Sequence, residues 1–162
     1  MRWVGFFIAI WTVLSGCDDP CEDLALTEPA LEIGTGWQSF TPMGELTPFE
    51  RGSQGGYHVY ASVRASGLFS GPTTLVGKKT PYITYTLQSE DETLTGGFTD
   101  VQRRMTVLPD GRIERLGDLA ILSSYEPSEI EGVDVEIFAE IEDACGRSAS
   151  ATATTRLSEG PF

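Results

Sequence analysis

Histidine occurs once in this chain, at His58, and cysteine three times, at Cys17, Cys21 and Cys145. A single imidazole limits the chain to one Ser-His-Asp or Cys-His centre. No G-x-S-x-G elbow, no H-E-x-x-H pair and no Ser-x-x-Lys accompanies it. Zinc takes several His or Cys ligands, and this chain has few of either. A redox pair would use C-x-x-C, which is missing. Basic residues are also scarce: 11 Lys and Arg stand against 24 Asp and Glu, for a net charge of −13. A surface of that sign repels nucleic acid and anionic lipid. No stretch carries a helical stripe, and the apolar run at the start, "WVGFFIAIWTVL" (3–14), is twelve residues long. A transmembrane helix needs about 20.

Other constellations fail on their own chemistry. Gly52, Gly55 and Gly56 lack the lysine and the following helix of a phosphate loop, and a turn at positive φ explains them better. "SEDET" (89–93) groups carboxylates without the D-x-D-x-D-G spacing of a calcium loop. Glu136 and Glu140 are four strand residues apart, roughly 13 Å, too far to share an ion. No metal or cofactor is expected. Arg103, Arg104, Arg112 and Arg115 concentrate near one turn, where they balance neighbouring carboxylates or form a docking patch.

What is present is alternation of period two from residue 30 onward. In "YHVYASVRA" (57–65), Tyr57, Val59, Ala61, Val63 and Ala65 share one face, and His58, Tyr60, Ser62 and Arg64 the other. "YITYTLQ" (82–88), "VDVEIFAEI" (133–141) and "SASATATTRL" (148–157) repeat the pattern. In 133–141 the inward set is Val133, Val135, Ile137, Ala139 and Ile141. Such segments are strands with one wet face, so His58 is expected on the solvent side. Turn signals separate them: "GSQGG" (52–56), "LPDGRI" (108–113) and "DACGRS" (143–148), with loops at 65–81 and 89–97. "LPDGRI" joins a strand near 98–108 to one starting at Arg112. Pro127 starts one helical turn within 123–132. The expected fold is all-β: an antiparallel β-sandwich of about seven or eight strands. The candidate binding surface is Tyr57, His58, Tyr60 and Arg64, since exposed aromatics and Arg anchor interfaces.

The first residues add a location. A positive Arg2, a short apolar segment and small residues before a cut describe a secretory signal. Leu14, Ser15, Gly16 and Cys17 match the bacterial lipoprotein lipobox at all four positions, and the start of the chain resembles that family there. The resemblance implies cleavage before Cys17, lipidation of its thiol, and a membrane anchor of two or three acyl chains, which hold stably where one does not. An ordinary secreted protein with Cys17 in a disulfide is the alternative. Removing residues 1–16 leaves 146 residues at net charge −14, enough for one core. Lipidation of Cys17 leaves Cys21 and Cys145, which an oxidising compartment pairs; two buried thiols are the other reading. That disulfide would be worth about 4–5 kcal/mol on the chain-entropy model. With Cys21 stapled, the reach back to Cys17 is roughly 14 Å, which seats the domain on the bilayer.

The end of the chain, "EGVDVEIFAEIEDACGRSASATATTRL", is similar to the final hairpin of immunoglobulin-like and fibronectin-like domains, without their signature Trp and cysteine spacing. "ERGSQGGYHVYASVRASGL" resembles a stretch of exported bacterial lipoproteins. The expected organisation is a signal peptide (1–16), an acidic tether (17–29), the β-domain (30–158) and a tail (159–162). The expected function is a binding or structural module of the bacterial envelope. It is expected not to be an enzyme, to be anchored in the inner or outer membrane, and to face the periplasm or the cell surface. Its partner is a protein or a glycan, and not nucleic acid. A hydrolase or carbohydrate-active enzyme using surface carboxylates is the rival.

Overall fold

A computed structural model of the protein describes residues 21, 27–71, 79–91, 94–124 and 126–160. The lipobox expected at Leu14–Cys17 lies outside them. Among the described residues the chain is all-β, with ten strands and one single-turn helix. The strands are β1 (Ala30–Thr35), β2 (Thr41–Pro42), β3 (Leu46–Arg51), β4 (Tyr57–Ser66), β5 (Tyr82–Ser89), β6 (Thr95–Gln102), β7 (Thr106–Val107), β8 (Ile113–Ile121), β9 (Asp134–Glu142) and β10 (Ser148–Glu159). The helix, α1 (Pro127–Ile130), has Pro127 in its first turn and buries Ile130, as suits a residue whose φ is already helical.

Strand formation follows composition. β4, β5 and β9 are rich in Val, Ile, Tyr and Thr, side chains that suit a pleated, half-buried surface. Their inward positions, among them Val59, Ala61, Val63, Ile83, Tyr85, Leu87, Ile137, Ala139 and Ile141, join Phe49 and Leu157 in one core cluster. Fully burying side chains of this size stabilises by about 1.5–3 kcal/mol each.

The hydrogen-bonded path runs β2-β1-β4-β3-β10-β9-β5-β6, and β8 pairs with β4 and with β7. β1 and β3 share one edge of β4, and β8 takes the other. β3 switches partners along its length: Leu46–Phe49 run parallel to Arg156–Glu159, and Phe49–Arg51 run antiparallel to Tyr57–Val59. The sheet is therefore mixed, which corrects the expectation of a purely antiparallel one. Alternation within a strand says nothing about the direction of its neighbour, and β3 and β10 meet from distant parts of the chain. A lone bridge between Gly96 and Leu122 links β6 to the end of β8 without closing the sheet.

Three local expectations are also corrected. The strand placed near 98–108 breaks at Arg103–Met105, so the "LPDG" turn joins the two-residue β7 to β8. Leu108 N donates to Arg112 O at 2.8 Å, and Gly111 sits at φ +84°. The loop placed at 89–97 is shorter, because β5 runs to Ser89 and β6 begins at Thr95. Among the described residues ten strands stand against the expected seven or eight, and β2 and β7 are too short for alternation to register. At the chain end, β10 includes Glu159, and Gly160 N donates to Phe49 O at 3.0 Å.

Candidate functional site

The two ends of the strands differ in chemistry. At one end, the β9–β10 turn is organised by Asp143, the first residue of "DACGRS". Its Oδ1 accepts from the backbone N–H of Cys145 (2.8 Å) and Arg147 (3.0 Å), and its Oδ2 accepts from Phe69 N (2.7 Å). Such charge-assisted bonds to backbone donors are the stronger kind. They fix the turn that carries Cys145. Cys145 is bonded to Cys21, with Cα atoms 5.6 Å apart, and the Arg147 guanidinium donates to Thr27 O. The N-terminal segment is thus held to this end.

At the opposite end, the β3–β4 hairpin and the last residues of β8 enclose a cleft of about 590 Å³. Register gives the separation. Glu159 lies opposite Phe49, and His58 lies opposite Glu50. His58 is therefore eleven or twelve strand residues from the start of β10, roughly 35–40 Å at 3.3 Å per residue.

The floor of the cleft is a two-by-two array. His58 pairs with Ile121 and Tyr60 pairs with Leu119 across β4 and β8. The His58 and Tyr60 rings meet edge to face, with centroids 5.0 Å apart at 84°. Leu119 and Ile121 are 46% and 61% exposed, unusual for aliphatic side chains standing side by side on a sheet. Glu50, Arg51 and the Gly52–Gly56 turn form the wall. The turn's backbone is internally bonded, Gly52 N to Gly56 O at 2.7 Å and Gly55 N to Gly52 O at 2.9 Å.

The structure divides the four residues expected to form a binding surface. His58 and Tyr60 line the cleft together. His58 is only 8% exposed, which corrects its placement on a wet face. Its Nε2 is buried without a hydrogen-bond partner. Tyr57 borders the cleft, but its ring belongs to the core face and packs edge-on against Phe49 at 5.5 Å. Arg64 lies four residues beyond Tyr60 and outside the cleft. It stacks over Phe40 at 4.2 Å and donates from Nε to Glu114 at 3.0 Å.

The outward side of β4 is covered at Ser62, where the 36–40 loop and Gly117 of β8 meet it. Ser62 is fully buried there. Its hydroxyl donates to Gly36 O (2.7 Å) and accepts from Gly117 N (3.1 Å). Gly117 sits in a bulge of β8 at φ +69°, and a Cβ on it would lie 3.0 Å from the Cα of Trp37. Glycine is required on both counts. Leu119 and Ile121 were missed by the sequence reading. The signal was "LAIL" (119–122), four apolar residues in a row where one face should be polar.

Arginines near the 108–113 turn serve as counter-ions. Asp118, 3% exposed, accepts at Oδ1 from Arg103 Nε (2.8 Å) and from Arg115 Nη2 (2.9 Å). Arg112 pairs with Asp110 and Glu32. Arg103 also lies over the Phe98 ring at 4.9 Å. Tyr85, whose ring meets Phe98 edge-on, has a buried hydroxyl without a partner. Burial, reinforced by Asp118, pushes that phenol well above its ordinary range.

A second, more open cleft of about 900 Å³ is lined by Glu45, Glu90, Asp134, Glu136 and Arg156. Arg156 donates to Asp134 twice at 2.7 Å and holds its carboxyl below the ordinary range. No group of three or more His, Cys, Asp or Glu among the described residues is arranged to hold a metal ion. No described helix is long and apolar enough to cross a membrane.

No family model, curated protein or solved structure matches the chain.

Proposed function

We infer that this chain is a lipid-anchored protein of the bacterial cell envelope whose β-domain, an immunoglobulin-like sandwich, works as a binding or structural module and not as an enzyme. The lipobox at Leu14–Cys17 supports the anchor. The pairing order supports the sandwich: β1-β4-β8-β7 follows the A-B-E-D layer of immunoglobulin-like domains, and β10-β9-β5-β6 follows G-F-C-C′. β3 crosses from the first group to the second.

The observation that carries the functional reading is the polarity of the molecule. The Cys21–Cys145 bond ties the N-terminal segment to one end of the strands, and the apolar cleft opens at the other. An anchor at Cys17 places the first end on the bilayer and turns the cleft away from it. The partner is a protein or glycan presented from the facing side. The sole histidine is accompanied by no G-x-S-x-G elbow, H-E-x-x-H pair or Ser-x-x-Lys, so the module reading is preferred to a hydrolase.

The test is Cys17→Ser. Palmitate labelling and membrane fractionation should both be lost, and a chain that still pellets with membranes would show another means of attachment. Non-reducing mass spectrometry should recover one peptide pair joining Cys21 to Cys145. A screen of ester, peptide and glycoside substrates should show no turnover; turnover abolished by changing one carboxylate would establish the enzyme instead.

A further inference from the structure

We propose that the cleft at His58 is a binding site for an uncharged, apolar ligand carrying a hydroxyl group. The inference rests on the binding-module reading above and adds to its protein or glycan partner a small ligand held in this cleft.

Three observations carry it. First, Leu119 and Ile121 expose aliphatic surface beside Tyr60 and His58 in a cleft of about 590 Å³, within the range that takes small ligands. An apolar body seated there removes that surface from water. Second, the floor holds one polar atom without a partner, His58 Nε2, on a side chain 8% exposed. A buried, unpaired polar group is costly, and a partner that satisfies it is selected. Rotation about the imidazole–Cβ bond is the motion that would bring this nitrogen to the cleft. A hydroxyl is the group that matches it, because it donates to or accepts from a neutral imidazole in either tautomer.

Third, the cleft is close to charge-balanced in a strongly acidic chain. It is lined by one carboxylate, Glu50, and one guanidinium, Arg51, while the whole chain carries −13. An anion is repelled by the chain as a whole. A cation finds four carboxylates in the other cleft against one here. The geometry disfavours a sugar. The His58–Tyr60 pair stands at 84° and offers no flat platform. The Gly52 and Gly55 amides of the wall are already spent on the turn.

The sole histidine makes the test direct, since the purified full chain has one imidazole to observe by NMR. p-Cresol is the probe, with toluene as the same shape lacking the hydroxyl and methyl glucoside as the sugar. p-Cresol should shift the His58 ring and the Ile121 methyl signals saturably, and should bind about tenfold more tightly than toluene, the worth of one buried hydrogen bond. His58→Phe should reduce p-cresol to the affinity of toluene. Ile121→Ser, at a position 61% exposed, should weaken both aromatics while the amide spectrum stays that of the folded chain. Equal affinity of p-cresol and toluene, or a His58 shift unaltered in the Ile121→Ser chain, would overturn the assignment. Tighter binding of methyl glucoside at the same signals would also overturn it and leave the module reading standing. No saturable shift with any of the three removes the cleft as a small-ligand site, whereas the anchor reading stands or falls on Cys17→Ser alone.

Discussion

β9 and β4 read alike as sequences and behave differently in the fold. Along β9 the exposure alternates as the side-chain period requires, with Val135, Ile137, Ala139 and Ile141 buried and Asp134, Glu136, Glu140 and Glu142 in water. Along β4 the second face is largely buried too, with His58 and Ser62 covered and only Tyr60, Arg64 and Ser66 partly exposed. Both strands put the same kind of residue inward. The difference lies in what covers the other side: nothing charged can be left dry on β9, whereas the 36–40 loop and the bulge at Gly117 close over β4. A period of two identifies a strand and its core face. It does not say whether the remaining face is wet.

Substitutions can break or sharpen this contrast. The inward faces should be equivalent, and there the effect is largest: Ile137→Ala should cost about 2–5 kcal/mol in urea or guanidinium unfolding. A loss under 1 kcal/mol would mean that β9 is not part of the core. Asp118→Ala comes next, at about 2–4 kcal/mol, because Arg103 and Arg115 lose their buried carboxylate but keep enough exposure to turn to water. The midpoint shift should persist in high salt, since Asp118 is buried and poorly screened.

The sharpest comparison pairs outward positions. Ser62→Ala on β4 should cost about 1–2 kcal/mol, because Gly36 O and Gly117 N lose their partner in a dry site. Thr152→Ala, outward on β10 beside β9, should stay within about 0.5 kcal/mol. Equal costs would erase the distinction between the covered and the wet face. Tyr85→Phe should be smaller and of opposite sign, stabilising by up to about 1 kcal/mol as an unpartnered buried hydroxyl is removed. A clear loss of stability would show that the hydroxyl is bonded.

The smallest effect belongs to Arg156→Gln. Arg156 holds the Asp134 carboxyl below its ordinary range through their hydrogen bonds and then their charges. A carboxyl with a lowered folded value contributes stability above its unfolded value, and loses it as acid carries the pH through the folded one. The difference between wild type and Arg156→Gln should therefore be present at neutral pH and vanish in acid. A difference that grows in acid would contradict the pair.

Much of the fold was legible. Alternation identified β4, β5, β9 and β10 and nearly all of their core residues, Gly and Pro clusters located the hairpin turns, and Pro127 marked the helical turn at 127–130. Short strands such as β2 and β7 contain too few residues to show a period. The direction of β3 against β10 is a contact between segments over a hundred residues apart, and no local pattern encodes it. The candidate site was half legible. His58 and Tyr60 came from the aromatic spacing in β4, but their partners Leu119 and Ile121 are supplied by register with β8.

The sequence by itself determined that this chain is β-structured, acidic and poor in histidine and cysteine, because composition and period two are local properties. Tertiary structure alone decided that β4 buries Ser62 and His58 on its outward side, that Asp118 gathers Arg103 and Arg115, and that His58 lines a cleft at the far end from Cys145. Each of these depends on which strand lies beside which, and pairing energy between distant segments is read only where the chain brings them together.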